Sequence, residues 1–94
     1  MDNDLSKLLK NARFKLNLSQ RDLSLKSGVD YSYIAKIENG TRKKPSLNVL
    51  FKFSKSLNIS FLVLVKSAGY SKQEINDLIF YSSILRFEML NLDF

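Results

Sequence analysis

The side chains with chemistry to offer in this sequence are cations, 15 Lys and Arg against 9 Asp and Glu. They gather toward one end. Residues 1–60 carry 12 Lys/Arg against 5 Asp/Glu, a net of +7, while residues 61–94 carry 3 against 4, a net of −1. The densest group is Arg42-Lys43-Lys44, set between Thr41 and Pro45. Positive charge concentrated on one part of a chain suits a polyanion partner and leaves the other part for contact with protein. Surface lysine kept for solubility would account for the charge equally well, so the motifs must decide.

Catalytic chemistry has little to work with. There is no Cys and no His, which removes disulfides, the usual zinc ligands, a thiol nucleophile and the imidazole base. No acidic cluster has the spacing that holds Mg²⁺ or Ca²⁺, and Gly28, Gly40 and Gly69 build no phosphate-cradling loop. The expectation is a non-enzyme with no catalytic residue, no metal and no cofactor. The apolar run from Ile59 to Val65 is interrupted by Ser60 and falls far short of the ~18–20 residues that span a bilayer. Met1-Asp2-Asn3-Asp4 is acidic and lacks the basic and apolar regions of a signal peptide. A cytoplasmic protein is expected. Ninety-four residues, 45% of them hydrophobic, suffice for one compact core.

The elements that would position these cations read as helices throughout. Leu5, Leu8, Leu9, Ala12 and Leu16 share a stripe at helical spacing, predicting a first helix from Asp4 to Leu16 that ends at Asn17. Ser19 is a good N-cap for a second helix running to Ser27, and Gly28 supplies a turn. Asp30 caps a third helix from Tyr31 to Glu38, closed by Asn39-Gly40. After the basic loop, Ser46 caps a fourth helix whose Leu47, Leu50, Phe51, Phe53 and Leu57 are expected to face inward. A fifth carries Phe61, Leu62, Leu64 and Val65 to Gly69. Ser71 and Glu74 have the spacing of a capping box and open a long last helix. The boundary implied is Gly69-Tyr70, dividing residues 1–69 from a C-terminal helix in residues 70–94.

The stretch from Ser19 to Ile34 has a particular logic. Two short helices crossing steeply must approach closely, which calls for a small residue in the first and a glycine in the turn; Ser24 and Gly28 supply them. Leu23, Val29, Ile34 and Ile37 are spaced to plug the joint, leaving the outward side chains of the third helix free to reach base edges. The text Leu18-Ser19-Gln20, Leu23, Gly28-Val29, Tyr33-Ile34, Ile37-Glu38-Asn39-Gly40 and Lys44-Pro45-Ser46, followed by Leu50 and Leu57, resembles the Cro and repressor (XRE-like) family of helix-turn-helix regulators. The resemblance covers residues 5–66. It implies an all-α fold, a five-helix repressor-like domain with an added C-terminal helix.

What the resemblance implies for the site can be carried over residue by residue. Gln20, opening the second helix beside its cap Ser19, would bond a phosphate and brace the third helix. Tyr31, Ser32 and Lys36 would meet base edges, although Lys36 could equally touch phosphate. Asn39, Arg42, Lys43 and Lys44 would grip phosphate. Arg13 would pair with Glu38, a structural role rather than that of an acid catalyst. Tyr31 and Tyr33, two apart on a helix, do not share a face and so make a poor stacking platform for single strands. The sequence also departs from the family. Ser24 stands where alanine is usual and Asn17 where glycine is, both meeting the same steric demand. Leu25 holds a normally polar position and Ser27 a normally apolar one, which points to a rotated second helix or to a partner at Leu25. The base-reading positions lack the Gln or Arg pairs of familiar bidentate codes, so the operator sequence is not legible.

In the last helix the apolar residues form two stripes, Ile75, Leu78, Ile79, Leu85 and Met89 on one side and Phe80, Ile84 and Phe87 on the other. A helix apolar on two faces is buried on both. The expectation is that one covers its own core while the other pairs with a second copy; Phe80, Ile84 and Phe87 are the candidate dimerisation residues, with the stripe of Leu78 and Leu85 as the alternative. The function implied is a double-stranded-DNA-binding transcriptional regulator, a repressor, acting as a homodimer on an inverted repeat. The alternative is an antitoxin or other protein-interaction module that also regulates its own promoter. The partners are double-stranded DNA, a second copy and a protein antagonist, with no membrane.

Overall fold

The computed structural model describes residues 4–80. Six helices follow in order: α1 (Asp4–Lys15), α2 (Gln20–Ser27), α3 (Tyr31–Glu38), α4 (Leu47–Leu57), α5 (Phe61–Ser67) and α6 (72–80). No strand occurs among the described residues.

Helices α2 to α6 each start where their capping chemistry dictates. Ser46 and Ser60 accept from the backbone N–H three residues on, at Val49 and Val63. Ser19 and Asp22 form a reciprocal box, Asp22 N–H donating to Ser19 Oγ at 3.0 Å and Ser19 N–H to the Asp22 carboxylate at 2.9 Å. Ser71 and Glu74 repeat it at α6, at 3.0 and 2.9 Å. The ends are as local. Asn17 and Asn58 take left-handed backbone at φ 56° and 54°, conformations asparagine tolerates because its side chain bonds locally.

Gly28 supplies the tight turn as expected, but not the close approach of the two helices. Its φ is +77°, yet a Cβ built there would meet nothing within 4 Å. The turn needs glycine for backbone conformation, not for close approach. The small-residue requirement falls on Ser24, and there the hydroxyl does more than save space. Ser24 Oγ donates to the Val29 carbonyl at 2.7 Å, while Ser27 Oγ accepts from Val29 N–H at 3.1 Å. Two of the three departures from the family pattern in α2, Ser24 and Ser27, thereby pin the turn residue that plugs the joint. The α4–α5 turn uses the same device: Ser54 Oγ donates to the Ile59 carbonyl at 2.6 Å across left-handed Asn58.

One hydrophobic core results. Leu5 and Leu9 of α1, Leu23, Val29, Ile34 and Ile37 of the helix-turn-helix, Leu50, Phe53 and Leu57 of α4, Leu64 and Val65 of α5, Ala68, and Ile75 of α6 are all buried in it. Helix α3 packs on α1 and α2, while α5 packs on α1 and α4. Three inward expectations fail. Phe51 is 50% exposed, Leu16 is 45% exposed and Ile79 is 54% exposed. Phe51 stacks edge-on against Phe61, centroids 5.9 Å apart, at the rim of the core. Among the described residues of its stripe Ile75 alone is buried; Leu78 is half-buried and Ile79 lies farther round the helix. Leu85 and Met89 lie outside the described residues.

Gly28→Ala should lower stability by about 1–2 kcal/mol, the cost of a left-handed alanine with no clash added. Chemical denaturation would measure it. A loss above about 3 kcal/mol would mean that the turn has no room for a methyl group after all.

Candidate nucleic-acid interface

Helix α3 presents one face to solvent because its other face is committed. Ile34, Ile37 and Glu38 are buried, while Tyr31, Ser32 and Lys36 are exposed. At its N-terminus the Asp30 carboxylate accepts from Ser32 N–H at 3.0 Å and from the Ser32 hydroxyl. The Ser32 hydroxyl bond, followed by the backbone N–H bond, holds Asp30 below the usual carboxylate range. Its negative charge sits where the helix dipole favours an anion.

The register of α3 is set by a buried ion pair. Arg13 Nε and Nη2 donate to the two Glu38 carboxylate oxygens at 2.8 and 2.7 Å, and Nη1 donates to the Leu18 carbonyl at 2.9 Å. Hydrogen bonding to Glu38 is the main force raising the Arg13 pKa above its ordinary value, against the cost of burial. Gln20 Nε2 donates to Glu38 Oε1 at 3.2 Å, and the Ser6 hydroxyl donates to the Glu38 carbonyl. Helices α1, α2 and α3 thus meet on one glutamate. Gln20, read as bracing α3 and bonding phosphate, lies in the bracing position.

The loop after α3 is tied back to it. Arg42 N–H donates to the Lys36 carbonyl at 2.9 Å, and Thr41 N–H donates to Asn39 Oδ1 at 2.9 Å. The Arg42 guanidinium lies over the Tyr33 ring, 4.5 Å from its centroid, and Tyr33 Oη accepts from Ser46 N–H at 3.4 Å. Lys36, Thr41, Arg42, Lys43 and Lys44 line one open basic depression. All five are exposed.

Lys44 has company within the protein. Its Nζ lies 3.0 and 3.1 Å from the Glu74 carboxylate oxygens and 4.5 Å from the Tyr70 ring centroid. Tyr70 Oη in turn donates to the Pro45 carbonyl at 2.8 Å. This cluster ties the basic loop to the start of α6. Both charged groups are about half exposed, 47% and 45%, so water and salt screen the pair and it is readily exchanged. The hydroxyl of Ser19 is likewise engaged, as the α2 cap. Sequence reasoning found the Ser71–Glu74 box but not its bond to Lys44, a contact 30 residues away in the chain. It also passed over Arg21, whose guanidinium lies 5.0 Å from the Tyr31 ring centroid; a cation in the first turn of α2 was the available signal.

Two of the residues expected to form a dimer interface, Ile84 and Phe87, lie outside the described residues. Phe80 is 62% exposed. Among the described residues no group of carboxylates is placed to hold a metal ion, and no helix is long and apolar enough to cross a membrane.

A helix-turn-helix with a buried joint and an outward third helix defines the class, and comparison with known families agrees. The chain belongs to the helix-turn-helix family, whose model matches residues 9–64. Two uncharacterized HTH-type transcriptional regulators of Mycobacterium tuberculosis, from different strains, are each 38% identical over 61 residues. That stretch covers 65% of this chain but only 43% of theirs. Among solved structures, the restriction-modification controller protein C.AhdI from Aeromonas hydrophila is similar at TM-score 0.60 and 33% identity, covering 65% of this chain and 91% of that one. A chain of the SinR protein/SinI protein complex shares the fold at TM-score 0.62 and 23% identity, over 87% of this chain and 97% of its own.

Glu38→Ala should destabilise the fold by about 3–5 kcal/mol, because it strands a buried guanidinium. Thermal or urea unfolding reads this directly. An unchanged midpoint would show that Arg13 reaches water when its partner is removed.

Proposed function

We propose that the protein is a sequence-specific regulator of transcription that binds double-stranded DNA by laying α3 in the major groove. The observation that carries this is the division of α3 into a locked inner face and an exposed outer face carrying Tyr31, Ser32 and Lys36. Those three side chains are the proposed base readers. Arg42 and Lys43, held beside α3 by the loop's own bonds, grip phosphate, with Asn39 turning the chain toward them. Lys44 joins them when it exchanges Glu74 for phosphate. Ser19 and Gln20 face the backbone from the start of α2, while Arg13 and Glu38 keep the assembly in register. The names of the Mycobacterium tuberculosis relatives and of the controller protein support a regulatory role. Repression is the sense proposed, through occupancy of a promoter site.

Binding should weaken steeply with salt, since each phosphate neutralised releases counterions; about five contacts per subunit give a log–log slope near −4 to −5. Arg42→Ala with Lys43→Ala should flatten that slope and weaken all sequences alike. Lys44→Ala should do less, because its charge is shared with Glu74. Tyr31→Ala and Lys36→Ala should instead change sequence preference, at a cost of about 1–3 kcal/mol on the proper site. Selection from a random duplex library, followed by titration at several salt concentrations, tests both. Retention of wild-type discrimination by Tyr31→Ala and Lys36→Ala alike would remove α3 as the reader.

The regulator acts as a homodimer, with two α3 helices about 34 Å apart on an inverted repeat. We place the interface on the last helix, around Phe80, Ile84 and Phe87. A second surface competes with it. Leu62 and Val63 of α5, 43% and 45% exposed, lie on the helix that packs against α4, where Phe51 is also exposed. Ile84→Asp with Phe87→Asp should leave a folded monomer in sedimentation, with operator affinity lower by orders of magnitude as avidity is lost. A dimer that survives those changes but is split by Leu62→Glu with Val63→Glu would move the interface to α5. A wild-type chain that sediments as a monomer at micromolar concentration would remove the dimer and leave α3 untouched.

A further inference from the structure

Helix α3 carries two tyrosines in its first turn, and each holds an arginine from a different neighbour. The Arg21 guanidinium of α2 lies 5.0 Å from the Tyr31 ring centroid, and that of Arg42, in the basic loop, lies 4.5 Å from Tyr33. Helix residues advance by about 100° each, so positions two apart leave the axis about 200° apart. Tyr31 and Tyr33 therefore emerge on opposite flanks of α3. On the same wheel Ser32 and Lys36 fall between them, and buried Ile34, Ile37 and Glu38 fall on the far side. The outward face of α3 is thus bracketed by two guanidinium groups, each seated on an aromatic ring.

A helix in the major groove, which is about 12 Å wide, has a sugar-phosphate strand on either side. The basic loop flanks α3 on the Tyr33 side, and the start of α2, where Ser19 and Gln20 already face the backbone, flanks it on the Tyr31 side. We propose that Arg21 grips the phosphate strand opposite the one met by Arg42, and that Tyr33 is a positioning residue for Arg42. The proposal rests on α3 being the helix that enters the groove. Arginine suits the task because its planar group stacks on a ring while its N–H edge remains free for bidentate contact with phosphate oxygens. Stacking also restricts the side chain before DNA arrives, so less freedom is lost on binding. The nearby carboxylates do not claim Arg21: Asp22 is turned to Ser19 N–H and Asp30 to Ser32.

The test uses the full chain and a fluorescein-labelled mixed-sequence duplex about two helical turns long, titrated by anisotropy across a salt series. Arg21→Ala should make the log–log slope shallower by about 0.9 and weaken binding about threefold or more at moderate salt, equally for all sequences. Its melting temperature should match the wild type. Tyr33→Phe, which keeps the ring, should bind normally. Tyr33→Leu should weaken binding, and combining it with Arg42→Ala should cost no more than Arg42→Ala alone. Where Tyr33→Leu does not fold, Arg42→Lys carries the same question, keeping the charge but losing the planar stack, and should bind more weakly. An unchanged slope for Arg21→Ala beside a reduced slope for Arg42→Ala overturns the second grip and leaves α3 as the reader. A change of sequence preference at constant slope overturns it as well. Additive losses at Tyr33 and Arg42, or full affinity in Arg42→Lys, overturn the positioning role. Wild-type protein that shows no salt-dependent binding overturns this proposal together with the reading beneath it.

Discussion

The carboxylate of Glu38 sits where α1, α2 and α3 converge. Arg13 meets it through two hydrogen bonds, Gln20 through one, and Arg13 reaches on to the Leu18 carbonyl between α1 and α2. Burying such a pair costs several kcal/mol per ion in lost hydration, recovered only when the geometry satisfies both groups. Hydrophobic side chains of similar volume could give equal stability. What they would not give is direction: a bidentate fork is satisfied in one relative placement of its helices, whereas apolar packing tolerates sliding. The exposed face of α3 has a defined orientation because its last residue is held this way.

The remaining parts of the site are built by similar local pinning. Ser24 and Ser27 hold Val29 from both its carbonyl and its N–H, which sets the angle at which α3 leaves the turn. Arg42 is held to Lys36 by its backbone and to Tyr33 by its side chain. A cation presented from a loop is ordinarily unanchored; here backbone and side chain both tie it to the helix it flanks. The Lys44–Glu74 contact extends this order to α6. Through it, the part of the chain with excess negative charge touches the basic loop directly.

Much of this was legible in order along the chain. Caps, turns and the apolar stripe are decided within a few residues, so Ser19, Asp30, Ser46 and Ser71 mark helix starts without any knowledge of the fold. The plug formed by Leu23, Val29, Ile34 and Ile37 follows from spacing alone. Periodicity failed at the rims. Leu16, Phe51 and Ile79 each lie at the edge of an apolar stripe, where burial depends on which neighbour arrives and how closely. Leu25, at 86% exposure, breaks the polar pattern of its face, and nothing in the packing of α2 explains it.

The sequence by itself determined the helices, their caps, the family and the candidate cations, because each depends on interactions between residues close in the chain. Only the tertiary structure decided what those cations do. Arg13 is withdrawn into an ion pair 25 residues away, and Lys44 is shared with a carboxylate 30 residues away. Arg21 and Arg42 come to rest on tyrosines of the helix between them. Charges of one type, indistinguishable in a list of residues, are sorted by which groups the packing of helices brings within hydrogen-bond or ring-stacking reach. That reach is a few ångströms, and distance along the sequence does not predict it.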